Sequence, residues 1–146
     1  MKSIQLIVPY VAGGGSDQRA RLVGRYLEKH LGRTIEVANR TGAVAGHTAI
    51  ATAPADGSVI GLITGEIGMM HWHAGLTPLG PADYTPLAVP YVESAAVIVS
   101  ASAPWRTLQD FLAEFGKRKL TGSGGPHFGV WKFALAGLLD VAGVPT

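Results

Sequence analysis

The chain has 146 residues, 12 Lys and Arg against 10 Asp and Glu, and no cysteine. A chain of this length can bury a core of its own, and 47% hydrophobic with 15% charged residues excludes a disordered chain and a basic nucleic-acid tail. The lack of cysteine excludes disulfides, thiolate metal sites and thiol catalysis, and no apolar run is long enough to span a bilayer.

The first predicted element is a buried strand over residues 4–8, where an apolar run rich in β-branched residues ends at Pro9. A helix follows, with Ser16 or Asp17 as its predicted cap and Gly32 as its end. Its apolar side chains recur at helical spacing, at Ala20, Val23, Leu27 and Leu31.

Residues 34–39 and 59–64 are predicted as the second and third strands, with a short helix between them in residues 42–53. Strands and helices therefore alternate along this part of the chain. That alternation predicts an α/β fold with a mainly parallel sheet flanked by helices.

The middle of the chain has less pattern. Residues 69–90 hold four prolines and are predicted as mostly loop, with a short helix near residues 67–72. Residues 95–100 are apolar and extended, which predicts a fourth strand.

Two further helices are predicted towards the C-terminus. Thr107 is the predicted cap of the first, and Gly116 its predicted end. The second covers residues 130–142 and is apolar almost all round, so we expect burial on most of its sides.

A glycine-rich loop over residues 9–17 joins the first strand to the first helix. Its three successive glycines let the backbone approach a ligand closely. The amides that begin a helix favour an anion, and ligands bind at the carboxyl ends of parallel strands. The alternative is a tight turn that only packs the helix on the sheet.

A second glycine-rich loop, residues 122–129, opens the last helix and is another amide-rich helix start. If the two loops faced each other, they would clasp a carboxylate from both sides. Position 18 is Gln rather than Gly, which excludes the dinucleotide fingerprint, and no phosphate-binding GxxxxGK motif occurs. Neither Ser16 nor Ser123 fits a hydrolase elbow, so no enzyme is predicted.

Four polar side chains outside these loops invite roles in binding. His71 and His73 lack a third ligand at recognisable spacing, so no metal site is predicted. Glu66 follows the third strand and is either an acceptor for a ligand ammonium or hydroxyl or a solvated loop charge. Lys132 either neutralises a ligand carboxylate or extends from a buried helix to solvent.

Several stretches in order resemble the Bug-type solute receptors of tripartite tricarboxylate transporters. They are Ile7-Val8-Pro9-Tyr10 with Gly13-Gly14-Gly15-Ser16-Asp17, then Gly32 through Asn39-Arg40-Thr41-Gly42-Ala43, Ala55-Asp56-Gly57, and Ser123-Gly124 leading into Gly129-Val130-Trp131-Lys132-Phe133-Ala134. The resemblance spans essentially the whole chain.

The resemblance implies a two-lobed receptor similar to type II periplasmic binding proteins. Residues 1–100 would be its first lobe and residues 101–146 the beginning of the second, truncated relative to the family. It implies a periplasmic protein, with the signal peptide absent from this chain, that captures small organic carboxylates for membrane transporter subunits without a cofactor, metal or nucleic acid. The implied ligand-binding residues are Tyr10, Ala12, Gly13, Gly14, Gly15, Ser16, Asp17, Thr64, Gly65, Ser123, Gly124 and Gly125.

The sequence departs from the family at the second loop, where Lys132 replaces the usual His and residues 126–128 replace a glycine-rich stretch. Pro126 cannot donate an amide hydrogen bond. Family members also continue beyond this length, so we expect either weak binding or a homo-oligomer that completes the missing lobe. The alternative is a non-catalytic structural or interaction module that keeps the fold without binding a ligand.

Overall fold

A computed structural model describes residues 3–66, 72–115, 117–124 and 129–144. The chain divides into two compact units, Met1–Pro90 and Tyr91–Thr146. Each unit is described by itself. Within the described residues, no helix has the length and apolar character needed to cross a bilayer.

The first unit is an α/β unit with a parallel sheet of three strands. The strand order is β2-β1-β3, so β1 is central, and Ile4 pairs with Ile35 while Gln5 pairs with Val59. This confirms the predicted α/β class and parallel sheet. Its elements are β1 (Ile4–Val8), α1 (Gly15–Leu31), β2 (Ile35–Asn39), α2 (Ala43–Ala51), β3 (Val59–Gly61) and a 3-10 turn (Pro81–Asp83).

The core forms where α1 packs on the sheet. Its buried members are Ile4, Leu6, Val8, Ala20 and Ile35, with Tyr10, Leu27, Val37, Ile60 and Leu62 packed around them. Burying side chains of this kind stabilises the unit by roughly 1.5–3 kcal/mol each.

Helix α1 starts differently from the prediction and ends as predicted. Gly14 is its N-terminal cap residue, so the prediction that Ser16 or Asp17 caps it was wrong. Both residues lie inside the first turn, and the Asp17 carboxylate instead accepts the N–H of Gly13. Gly32 ends the helix in the left-handed conformation, with φ of 61°, and donates its N–H to the Glu28 carbonyl.

Helix α2 lies very close to the end of β1. A Cβ placed on Gly46 would lie 2.4 Å from the Pro9 Cβ and 2.8 Å from the Arg40 carbonyl oxygen, so only glycine fits there. Strand β3 is shorter than predicted, ending at Gly61 rather than Thr64. The ladder ends with the bond from the Leu62 N–H to the Ile7 carbonyl, and the chain then enters a loop.

The second unit contains α3 (Leu108–Phe115) and α4 (Val130–Val141). Thr107 caps α3 as predicted, since its Oγ1 accepts the Asp110 N–H at 3.1 Å while Asp110 Oδ2 accepts the Thr107 N–H at 3.0 Å. The predicted helix end at Gly116 lies outside the described residues.

Two predictions for the second unit were wrong. Residues 95–100 form no strand, because no described strand pairs with them, and Ile98 is 88% exposed. Helix α4 has the predicted bounds to within one residue but not the expected burial on most sides. Leu139 is buried, whereas Trp131 and Phe133 are 42% and 52% exposed.

Candidate functional site

The glycine-rich loop lies at the carboxyl edge of the central strand. β1 ends at Val8, which is fully buried, and the chain passes through Pro9 and the loop before α1 begins at Gly15. Because β2 and β3 flank β1 in parallel, their carboxyl ends meet at the same edge. This is the edge where open parallel sheets bind ligands.

Asp17 holds this loop in place. The residue is 2% exposed, and its Oδ2 accepts the Gly13 N–H at 2.8 Å and the Arg21 Nε–H at 2.9 Å. Its Oδ1 accepts Asn39 Nδ2 at 2.9 Å. The hydrogen bond from Arg21, with those from Gly13 and Asn39, holds the pKa of the Asp17 carboxyl far below its usual range. Asp17 is therefore an ionised, paired carboxylate inside the loop.

Asn39 is a site residue that no single sequence motif identifies as one. It ends β2, and its side-chain amide also donates to the Tyr10 carbonyl at 3.0 Å. One side chain thus ties the loop after β1 to Asp17 in α1. Its position at the carboxyl end of the neighbouring strand was the available signal.

The amides of the loop differ in what they can bind. Gly13, with φ of 80°, gives its N–H to Asp17, and Gly14 makes a long turn bond of 3.4 Å to the Val11 carbonyl. Gly15 and Ser16 occupy the first turn of α1, where helix N–H groups have no intrahelical acceptor. In the described part of the chain, no hydrogen bond from either of these two amides is found.

Tyr10 and Thr64 join the loop after β1 to the loop after β3. The Tyr10 hydroxyl lies 2.6 Å from Thr64 Oγ1. The two residues are 54 positions apart, which is also the offset between the paired Ile7 and Gly61. This contact brings Thr64 beside the glycine-rich loop. Ala12 and Gly65 are both exposed on this edge.

Glu66 lies two residues beyond Thr64 and is partly buried. Its Oε2 is buried and has no hydrogen-bond partner among the residues that the structure describes. This differs from Asp17, whose two carboxylate oxygens are both satisfied.

The predicted residues of the second loop belong to the second unit. Ser123 and Gly124 are exposed, and a Cβ on Gly124 would lie 3.7 Å from the Lys132 backbone nitrogen at the start of α4. Gly125 and residues 126–128 lie outside the described residues.

Only one of the two histidines considered as metal ligands lies within the described residues. His71 lies outside the described residues, and His73 is exposed with its ring 4.9 Å from that of Trp72. Among the residues that the structure describes, no group of three or more His, Asp or Glu is placed to hold a metal ion.

The chain is similar to known binding proteins in sequence and in fold, although no family model matches it. It is 45% identical over 58 residues to the protein BugT of Bordetella pertussis, which covers 38% of this chain and 18% of BugT. It also resembles the solved TctC solute-binding protein from Polaromonas, with a TM-score of 0.69 and 31% identity over 98% of this chain and 50% of that one.

A third similarity concerns the fold alone. An R. palustris protein solved with adipate matches 80% of this chain and 40% of its own with a TM-score of 0.52 and 24% identity. In all three comparisons this chain spans half of the relative's length or less. The sequence match to BugT and the fold match to the TctC protein agree with each other. The chain is therefore similar, in sequence and in fold, to periplasmic binding proteins of the Bug/TctC type, and it spans half the length or less of the relatives it matches.

Proposed function

We propose that this chain forms one side of a carboxylate-binding site in a periplasmic solute-binding protein. The observation that carries the proposal is the open first turn of α1, where the described residues provide no acceptor for the amides of Gly15 and Ser16. Such amides bind anions, and the helix dipole adds roughly half a positive charge at this end.

The neighbouring Asp17 does not oppose an anion at this turn. Its negative charge is compensated by Arg21, and its oxygens are occupied by Gly13, Arg21 and Asn39. The carboxylate therefore fixes the loop from inside, while the first-turn amides remain for the ligand. We call the open first-turn amides of Gly15 and Ser16 the cradle. Gly13 and Asp17 support the cradle in this scheme and do not contact the ligand.

The finer parts of the proposal follow from the relatives. The ligand would be a small organic carboxylate, the receptor would work in the periplasm, and membrane transporter subunits would accept the ligand from it. No covalent chemistry is required. Ser123, Gly124 and Gly125 would be the opposite side of the site, from a second lobe that closes on the ligand.

Two substitutions at Gly15 test the cradle directly. Gly15 is the first helical residue, where proline fits, and Gly14 before it has φ of −70° and ψ of 168°, a conformation that proline permits in its predecessor. Gly15→Pro therefore removes one amide donor while keeping the helix start. Gly15→Ala adds a similar Cβ, which meets only the flexible end of Arg19, and keeps the amide.

Calorimetric titration with adipate, the ligand of the R. palustris protein, provides the readout. We expect wild type and Gly15→Ala to bind with a Kd of about 1 mM, and Gly15→Pro to bind at least about tenfold more weakly, since a hydrogen bond to a charged group contributes about 1.5–3 kcal/mol. Equal binding by both variants would place the anion elsewhere. No binding by any of the three would refute the proposed function.

A second candidate function is an interaction module. It is favoured by the exposed apolar side chains of the second unit, among them Val92 at 89%, Ile98 at 88% and Val141 at 89%. Exposed apolar surface of this kind marks contacts with a partner, and a second copy of the chain is the simplest one. Sedimentation velocity at rising concentration tests this, because a strictly monomeric protein would exclude the homo-oligomer.

A further inference from the structure

Glu66 has a carboxylate oxygen that the protein does not satisfy. Its Oε2 is buried, and no residue in the described part of the chain donates a hydrogen bond to it. A buried polar atom in this state is costly, and native structures normally provide a donor for it. The missing donor therefore needs an explanation.

The position of Glu66 suggests where the donor comes from. The offset of 54 that pairs Ile7 with Gly61 also holds for the hydrogen-bonded Tyr10 and Thr64. Glu66 lies only two residues beyond Thr64, close to the point where the loop after β3 meets the loop after β1. Glu66 thus follows β3 at the edge where we place the ligand.

Two arginines of α1 lie beside the loop, and neither donates to Glu66 Oε2; the guanidinium of Arg19 lies next to Gly15. Arg21 donates Nε to Asp17 and Nη2 to Asn39. We propose that the donor for Glu66 belongs to the ligand, so that the ligand class is a carboxylate that also carries an ammonium or hydroxyl group. This inference rests on the proposed function, since it assigns a second contact in the same site.

The chemistry of the two contacts is complementary. The first-turn amides of Gly15 and Ser16 donate hydrogen bonds and favour an anionic acceptor, whereas the Glu66 carboxylate accepts hydrogen bonds from a donor. A plain dicarboxylate would bring a negative charge towards Glu66 and leave its oxygen unsatisfied. Glu66 would therefore select among carboxylates without contributing to the capture of the carboxylate group itself.

Three four-carbon dicarboxylates separate the possibilities, because succinate has no additional donor, malate adds a hydroxyl and aspartate adds an ammonium. We expect calorimetry at pH 7 to show that wild type binds malate or aspartate at least about tenfold more tightly than succinate. Tighter binding of malate would identify the donor as a hydroxyl, and tighter binding of aspartate would identify it as an ammonium.

Variants of Glu66 complete the test. Glu66→Ala should reduce the preference to within about twofold and leave succinate binding unchanged or stronger, while Glu66→Gln, which keeps an acceptor without charge, should reduce an aspartate preference more than a malate preference. Urea unfolding of both variants verifies that they fold. If Glu66→Ala does not fold, the test uses Glu66→Gln alone.

The outcomes separate this inference from the proposed function. Equal binding of the three ligands by wild type, or a preference that survives in both Glu66 variants, would overturn the role of Glu66 while leaving the cradle intact. Binding of none of the three would overturn both.

Discussion

Replacement of Gly46 by alanine tests how α2 fixes the start of the candidate site. Gly46 is a buried residue inside α2, and it contacts Pro9 immediately before the glycine-rich loop. Two opposing effects act on this substitution. In a helix interior alanine is more favourable than glycine by about 1 kcal/mol, which would stabilise the protein. The added Cβ, however, must displace its neighbours, which would destabilise it.

The geometry decides which effect is larger. The Cβ would lie 2.4 Å from the Pro9 Cβ, 2.5 Å from the Pro9 Cα and 2.8 Å from the Arg40 carbonyl oxygen. All three atoms belong to backbone or to a rigid ring, so the cost lies at the upper end of the roughly 1–3 kcal/mol for overpacking. We expect Gly46→Ala to lower the free energy of unfolding by about 2 kcal/mol.

Two other helical glycines are matched controls. A Cβ on Gly24 would lie 3.3 Å from Ile35 Cγ2, a contact tight enough to offset the helix preference, so the net change should be close to zero. A Cβ on Gly137 in α4 meets nothing within 4 Å, so Gly137→Ala should gain about 0.5–1 kcal/mol.

Urea unfolding followed by circular dichroism measures each change against wild type. We expect Gly137→Ala to be the most stable, Gly24→Ala close to wild type and Gly46→Ala the least stable. If Gly46→Ala were as stable as Gly137→Ala, the close approach of α2 to Pro9 would be refuted, and with it the explanation of how the loop is placed.

Three further predictions concern single side chains. Because the folded-state pKa of Asp17 is lowered, its contribution to stability is present above a pH of about 4 and is lost as the pH falls. Asp17→Asn should therefore flatten the decline of the urea midpoint between about pH 5 and pH 2. Asp140→Asn, at an exposed position, is the control. Thr107→Ala removes the cap of α3 and should cost about 1 kcal/mol in urea unfolding, and an unchanged midpoint would contradict the capping role. Tyr10→Phe removes the hydroxyl contact with Thr64 and should cost about 1 kcal/mol by the same assay, so a neutral effect would show that this contact does not join the two loops.

The parts of the fold that were predicted correctly depend on local pattern. The β-branched run of β1 and the helical spacing of α1 identify both elements, and Gly32 ends α1 because glycine adopts a positive φ easily. Thr107 was correctly predicted as a cap because the residues that satisfy α3 are adjacent in sequence.

The predictions that failed depend on distant residues. Asp17 does not cap α1 because Asn39, which is 22 positions away, and Arg21 draw its carboxylate back into the loop. Residues 95–100 have the composition of a strand, but a strand needs a neighbour, which no local pattern supplies.

The candidate site was predicted in outline from its glycines. The Asp17 side chain takes up the Gly13 amide, whereas the described residues offer no acceptor to the amides of Gly15 and Ser16. The first of these facts depends on the direction in which the Asp17 side chain points. The sequence around Gly13 does not specify that direction. For the same reason, the sequence left the role of Glu66 open between ligand acceptor and solvated charge.

The central claim is that the first-turn amides of α1 hold a carboxylate, and a nitrogen-15 NMR titration with adipate tests it most directly. We expect the amide resonances of Gly15 and Ser16 to shift saturably downfield, while that of Gly13, already bonded to Asp17, shifts much less. If the Gly15 and Ser16 resonances stayed in place while others shifted, or if none shifted, the account of the site would be contradicted.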